Sequence, residues 1–406
     1  MKKILNIAVA LLLCNATQAQ SLEAYLQEAE ANNPEVQAFE IRYNIAKEKV
    51  KESQALPNTE VSAGLFVSEP ETRTGAQKAR FSVKQMLPWF GTITARENYA
   101  TSLAEVDYLD IAITKRKLRL SVSQSYYKLY AIKEIQEALE ENIQLLKTFE
   151  QLALTSVEVG NASAVDVLRL QIRQNELQEQ KAILAQEQFA ESRAFNNLLN
   201  RDEVLAIAVV DSLLITEDFP QASTTLGLHP ELEKYDRLYE SVAQSELLNQ
   251  KEANPNLGFG LDYIPVADRA GLNFSDNGKD IFMPAVSLSI PIFNTKYKSR
   301  SIQHKMQQEE INAQREHRRN LLETVLHNAI AGREAARIKH RTQSVNLKQA
   351  RDAEEILVKN YETGTIDFND VLDIQELQLK FQMNQIEAVK NFYGQTAAIN
   401  YLTDQY

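Results

Sequence analysis

The chain of 406 residues has one cysteine and five histidines, and it lacks most of what catalysis or metal capture requires. The single cysteine, Cys14, excludes an intramolecular disulfide. No two histidines stand three or four residues apart, so the sequence offers no helical pair of zinc ligands. It also lacks a glycine-rich phosphate loop and a nucleophile motif. We therefore expect no enzyme and no cofactor.

Positive charge and long apolar runs are also scarce. The formal net charge of −11 argues against nucleic acid as a partner, because binding to phosphates needs a basic patch. Beyond the N-terminal segment, no apolar run approaches the roughly 20 residues of a membrane-spanning helix. The sequence therefore predicts a protein that enters a membrane, if at all, by something other than helices.

The N-terminus has the pattern of a secretory signal peptide. Lys2 and Lys3 precede a short apolar run from Ile4 to Leu13, and the small residue Ala19 stands at the expected cleavage point. We predict a signal peptide over residues 1–19, and hence export. A lipid anchor on Cys14 is the alternative, but the bulky residue before it is unfavourable for lipid attachment.

The second half of the chain repeats the first. A glycine, an aspartate, a leucine and a glutamine recur in the same order and at one constant offset. The first set is Gly160, Asp166, Leu168 and Gln171, and the second is Gly364, Asp370, Leu372 and Gln375. Such a repeat indicates one architecture with internal pseudosymmetry. We predict a first repeat over 20–200, a connector over 201–227 and a second repeat over 228–406.

Each repeat contains one very long stretch of good helix formers. The stretches follow Gly91 and begin near Thr295, and each runs to the repeat's own glycine turn, at Gly160 or Gly364. At about 1.5 Å per residue, each helix is roughly 100 Å long. Apolar residues in the first stretch keep the 3.5-residue step of a coiled coil: Leu118, Val122, Tyr126, Leu129, Ile132, Ile135, Leu139, Ile143 and Leu146. We predict a returning helix after each glycine and a shorter helix at the start of each repeat, over 22–55 and 228–253.

Four short segments are predicted strands, over about 60–68, 79–87, 257–264 and 281–290, and polar and apolar residues alternate clearly in the last three. Each has about the length that crosses an outer membrane when tilted. Four strands cannot close a barrel, and an open strand edge in lipid leaves backbone groups unsatisfied. If these strands lie in lipid, sister copies must share one barrel.

At this point the residues resemble a family. Tyr361 and Gly364, followed by Asp370-Val-Leu and Gln375, are similar to the pattern of the TolC-type outer-membrane efflux proteins, or outer-membrane factors. The run Gln-Met-Leu-Pro-Trp-Phe-Gly that ends at Gly91, followed by Arg96, is similar to a motif of the heavy-metal branch, the CusC and CzcC type.

The resemblance implies a mainly α fold with membrane β-strands, built from a duplicated helix–strand–strand–helix unit. It implies a homotrimer with a 12-stranded β-barrel in the lipid of the outer membrane and a long α-helical barrel in the periplasm. The implied partners are a periplasmic membrane-fusion adaptor and an inner-membrane pump, of the RND type.

The function expected from this resemblance is the exit duct of a tripartite efflux system that passes heavy-metal cations or drugs. One alternative is the exit duct of a type I secretion system for polypeptides. Another is a periplasmic coiled-coil adaptor or scaffold that forms no channel. The paired strands favour the duct, because an adaptor is expected to have one central hairpin without duplication.

The two turns between long and returning helices are the first candidate sites. By resemblance they dock the adaptor, with a small residue allowing close approach. The alternative is that glycine only permits the turn. The candidate docking residues are Val159, Gly160, Asn161, Ala162, Thr363, Gly364 and Thr365.

Acidic residues at the start of the returning helices are the second candidates. Asp367, Asp370 and Asp373 could form a ring of carboxylates that narrows the tunnel and selects cations. The alternative is ordinary negative charge at a helix N-terminus, which the helix dipole favours. For Asp166 in the first repeat, capping or packing is the favoured interpretation.

The strands carry the remaining candidates. Arg80, Lys84 and Asp262 would face the barrel lumen and tune what passes, or they belong to an ordinary solvated strand face. Trp89, where strand becomes helix, is either an anchor at the membrane interface or a packed hinge residue.

Overall fold

A computed structural model describes residues 22–158, 163–215, 226, 228–271, 274–293, 295–363, 365–366 and 368–403. The helices are α1 (Leu22–Asn32), α2 (Pro34–Ser53), α3 (Thr92–Glu158), α4 (Ala164–Leu198), α5 (Pro230–Glu252), α6 (Thr295–Glu362) and α7 (Phe368–Thr403). The strands are β1 (Glu60–Leu65), β2 (Glu71–Thr72), β3 (Gly75–Ala76), β4 (Ala79–Leu87), β5 (Asn256–Ile264) and β6 (Ile281–Ser289). None of the helices within these ranges is both long and apolar enough to cross a membrane.

The two long helices and their returning partners form as predicted, but the first short helix does not. The expected single helix over 22–55 is interrupted at Asn33, so that prediction was wrong at this point. Pro34 lacks a backbone N–H and suits the first position of a new helix. The side chain of Asn33 caps that helix, because its Oδ1 accepts hydrogen bonds from the backbone N–H groups of Glu35 (2.9 Å) and Val36 (3.4 Å).

The observed strands differ from the prediction at the end of β1 and in the loop that follows it. β1 ends at Leu65, three residues before the expected end at 68. The following loop contains the small hairpin β2–β3. The other three strands match their predicted ranges to within one residue.

One antiparallel sheet joins the two repeats, in the order β1-β4-β5-β6. The central contact is between β4 of the first repeat and β5 of the second, where Val83 stands opposite Leu261. β1 and β6 are the edge strands, and neither has a second strand partner among the described residues. The sheet therefore ends in two open edges.

The chain packs into two compact units, and each takes elements from both repeats. The first unit comprises residues 1–38, 111–229 and 319–406, and the second comprises 39–110 and 230–318. The predicted apolar track of α3 lies in the core of the first unit, where Val122 and Leu139 are fully buried and Ile135 is partly buried. The coiled-coil spacing therefore identified the packed face correctly.

Tyrosine hydroxyls hold the described part of the connector in the first unit. Tyr25 accepts a hydrogen bond from the backbone N–H of Ala208 (2.9 Å), and Tyr126 accepts one from Val210 (3.0 Å). The hydroxyl of Tyr393 donates to the carbonyl of Leu214 (2.8 Å). These hydroxyls satisfy backbone groups that a neighbouring strand would otherwise bind.

Candidate functional site

The sheet in the second unit has one apolar face. Alternate residues of all four strands point to this face, and nearly all of them are hydrophobic. Its members are Val61, Ala63, Leu65, Ala79, Phe81, Val83, Gln85, Leu87, Leu257, Phe259, Leu261, Tyr263, Phe282, Pro284, Val286 and Leu288. Several are largely uncovered, from Val83 at 46% exposed to Leu65 at 82%. A continuous exposed apolar surface of this kind marks a contact with lipid or another protein.

The opposite face is mostly polar or small, apart from Met86, Ile264, Ile281 and Met283, and it carries the three lumen candidates. Arg80 forms an ion pair with Asp262, and the hydroxyl of Ser82 also donates to that carboxylate. Lys84 lies across from Gly260, where a Cβ would stand only 3.4 Å from the Lys84 Cγ. The three candidates therefore share one face with small neighbours. The ion pair of Arg80 with Asp262 depends on the contact between β4 and β5, which the sequence did not predict.

Most of the candidate docking residues lie outside the described ranges: Val159, Gly160, Asn161, Ala162 and Gly364. Asp367, a candidate for the carboxylate ring, also lies outside them. Thr363 and Thr365 are described and exposed. Both hydroxyls donate to the carbonyl of Asn360, at 2.9 and 2.8 Å, which also accepts the backbone N–H of Thr365 (3.0 Å) at the end of α6.

Asp166 has a local structural role. Ser163 is the N-cap of α4, and its Oγ accepts the backbone N–H of Val165 (3.2 Å). The Asp166 carboxylate accepts the backbone N–H of Ser163 in return (3.2 Å). This reciprocal capping box agrees with the capping interpretation of Asp166.

In each repeat, a glutamate of the long helix clamps the returning helix by accepting hydrogen bonds from two of its glutamines. Glu150 accepts hydrogen bonds from Gln171 (2.7 Å) and Gln174 (2.8 Å). The second repeat has the same clamp at the same offset, with Glu354 accepting from Gln375 (2.8 Å) and Gln378 (2.6 Å). The amide donors from Gln171 and Gln174 hold the pKa of the Glu150 carboxyl below its usual range. The recurring glutamines of the sequence therefore join the two legs of each hairpin.

We expect Glu354→Ala to loosen the second hairpin. The variant leaves the buried Gln375 without its acceptor, which costs about 1–3 kcal/mol. Amide hydrogen exchange near the start of α7 should accelerate by roughly 5- to 100-fold. The neighbouring Glu355→Ala is the matched control, because the ion pair that Glu355 makes within the described ranges is with Lys359, on the exposed surface of its own helix. Equal exchange in the two variants would contradict the clamp.

The two returning helices meet at a polar cleft of about 200 Å³ in the first unit. Arg169 of α4 donates to the side chain of Asn369 on α7, and Arg173 lies 3.8 Å from the Glu376 carboxylate. Asp373 also lines this cleft. Arg169 occupies the position in the first repeat that Asp373 occupies in the second. These arginines were missed at the sequence level, although their spacing of four puts them on one helix face.

Asp370 and Asp373 are both exposed, one turn apart on α7. Across the described ranges, no group of three or more histidine, cysteine, aspartate or glutamate side chains could hold a metal ion.

A hydrogen-bonded series in the second unit has the composition of a catalytic triad. His304 lies between Ser245 (Nε2 to Oγ, 3.1 Å) and Glu246 (Nδ1 to Oε2, 2.7 Å). Burial alone would raise the pKa of the Glu246 carboxyl, but hydrogen bonds from His304 and other donors outweigh it and lower the pKa. Ser245 lies inside α5, where the nearby amides bond to helix carbonyls and leave no oxyanion donor. The series therefore joins α5 to α6 as polar packing.

The fold and the two sheet faces define a class: a duplicated, mainly helical protein whose four-stranded antiparallel sheet has one apolar face. No family model matches the chain, and no curated protein matches it. Solved structures do.

The outer-membrane channel OprN is 17% identical, with a TM-score of 0.74, covering 94% of this chain and 89% of its own. CusC is 14% identical, with a TM-score of 0.76, covering 95% and 92%. VceC of Vibrio cholerae is 14% identical, with a TM-score of 0.73, covering 94% and 95%. The chain thus has the fold of these outer-membrane channels, which confirms the predicted mainly α fold with a duplicated helix–strand–strand–helix unit. CusC scores much like the others, so the heavy-metal branch is not singled out.

Proposed function

We propose that this protein is the outer-membrane exit duct of a tripartite efflux system and conducts its cargo passively. The observation that carries the proposal is the sheet with an apolar outer face, a polar inner face and two open edges. An apolar face of this extent suits hydrocarbon, and the polar face suits a water-filled lumen.

The open edges require sister copies. Unpaired backbone groups at β1 and β6 are costly in lipid, where no water satisfies them. β6 runs antiparallel to β5, and the alternation across the sheet makes it antiparallel to β1 of a neighbouring copy. Three copies in this arrangement form a closed 12-stranded barrel. We therefore propose a homotrimer in the outer membrane, with its long helices in the periplasm.

The partners follow from the same proposal. The helical tips, with the exposed Thr363 and Thr365, would dock a periplasmic membrane-fusion adaptor that connects to an inner-membrane pump of the RND type. OprN and CmeC are described as outer-membrane channels, which supports this kind of role. CusC is described by its transmembrane channel formation. Heavy-metal cations or drugs are the cargo that we propose. A non-channel adaptor is less favoured, because it gives the exposed apolar sheet face no role.

Channel recordings in planar bilayers test this function. The wild-type protein should form discrete channels that multivalent cations block. Asp370→Ala/Asp373→Ala should raise single-channel conductance or weaken that block, because the variant removes six carboxylates from a trimer. Asp236→Ala/Asp352→Ala removes the same charge from other helices and should leave the block unchanged. Absence of channels from the wild type would overturn the proposed function. Equal block in both variants would overturn the proposed ring of carboxylates.

A further inference from the structure

Two exposed apolar elbows leave the same end of the sheet. The first elbow (Pro88–Phe90) follows β4, and the second elbow (Pro291–Phe293) follows β6. Phe90, Ile292 and Phe293 are 81%, 79% and 89% exposed. Their strands flank β5, so the elbows lie two strand spacings, or about 10 Å, apart. From this geometry we propose that the elbows and nearby lysines bind anionic phospholipid in the periplasmic leaflet of the outer membrane.

The elbows continue the apolar face of the sheet. Leu87, Leu257 and Leu288 form the last row of that face before the chain turns away. At the first elbow, Gly91 has a φ of 79°, which lets the strand turn into α3. Trp89 packs edge-on against Phe90, with ring centroids 5.8 Å apart. Because the elbows adjoin the lipid-facing surface, their natural occupants are the upper acyl chains and headgroups of the same leaflet.

Positive charge is concentrated beside the elbows in a chain that is acidic overall. The ammonium of Lys251 lies 3.5 Å from where a Cβ on Gly91 would stand. The first eleven residues of α6 contain Lys296, Lys298, Arg300 and Lys305 and no carboxylate. Lys251, Lys296 and Lys298 are exposed, and none has a carboxylate within ion-pair distance among the described residues.

Helix stability does not explain these lysines. A cation at the N-terminus of a helix is disfavoured by the helix dipole, and Lys296 and Lys298 lie in the first turns of α6. Neither long helix has an acidic residue in its first turn. An external anion bound beside these lysines offsets their unfavourable interaction with the helix dipole. A phospholipid phosphate with a second negative charge in its headgroup matches both the lysines and the adjacent apolar side chains.

This inference rests on the proposed function, and one tryptophan makes it measurable. Trp89 is the only tryptophan in the chain and lies in the first elbow. The purified full-length protein is reconstituted into vesicles that contain either brominated phosphatidylglycerol or brominated phosphatidylcholine. Bromine quenches tryptophan fluorescence on contact, so quenching reports which lipid occupies the elbow. We expect phosphatidylglycerol to be preferred by about fivefold at equal mole fraction.

The lysines are tested by a charge-matched pair of variants. Lys251→Gln/Lys296→Gln/Lys298→Gln should reduce the preference to about one. Lys147→Gln/Lys348→Gln/Lys380→Gln removes the same charge from exposed helix positions in the first unit and should retain it. Equal quenching by both lipids in the wild type overturns the inference, as does a preference that survives the first variant. Flotation with the vesicles is measured in parallel, because a protein that does not float refutes the proposed function itself.

Discussion

Exchanging two neighbouring residues of β4 abolishes assembly in the outer membrane: this is the result that we expect for Val83→Lys/Lys84→Val. The exchange leaves composition and net charge unchanged. It moves the lysine from the polar face to the middle of the apolar face. A lysine on the lipid side near the bilayer midplane costs roughly 2–4 kcal/mol, and a trimer carries three. Recovery of the oligomer from outer-membrane fractions measures the effect.

The single variant Lys84→Val separates the two halves of the exchange. It removes the lysine opposite Gly260 without placing charge in lipid, so it should assemble normally. Wild-type recovery of the exchanged protein would show that the apolar face does not meet hydrocarbon. Loss of assembly in both variants would instead assign the effect to the polar face.

Placing tryptophan at Gly364 should eliminate export and leave the channel intact. The proposal gives this turn a close contact with the adaptor, and a large side chain keeps the two backbones apart. We expect adaptor affinity to fall by at least tenfold, or about 1.4 kcal/mol. Host survival on a panel of metal ions and drugs should fall to that of a strain without the gene, while bilayer recordings still show channels.

Lys348→Trp is the control for this variant. It adds the same side chain at an exposed position of α6 before the turn, and it should preserve export. Normal export by Gly364→Trp would refute close contact at the turn. Loss of channels as well as export would show that Gly364 serves the fold rather than docking.

Much of the fold could be predicted because the repeat and the apolar periodicity are local properties. The spacing of Val122 and Leu139 identified the buried face of α3, and alternation identified the apolar face around Val83. The break at Asn33 was also readable, since asparagine before proline is a strong start signal for a helix.

The features that were missed depend on contacts distant in sequence. The pairing of β4 with β5 brings Arg80 to Asp262, and alternation along one strand says nothing about its neighbour. The cleft between the returning helices likewise brings Arg169 to Asn369. The glutamate–glutamine clamps were predictable only in part, through the repeat. The offset that relates Gln171 to Gln375 also relates Glu150 to Glu354.

The mass of the particle extracted from outer membranes in mild detergent tests the central claim most directly. The open edges of β1 and β6 leave a single copy unable to exist in lipid, so native mass spectrometry should find three chains in each particle. Extraction of single chains with the sheet folded would contradict the account.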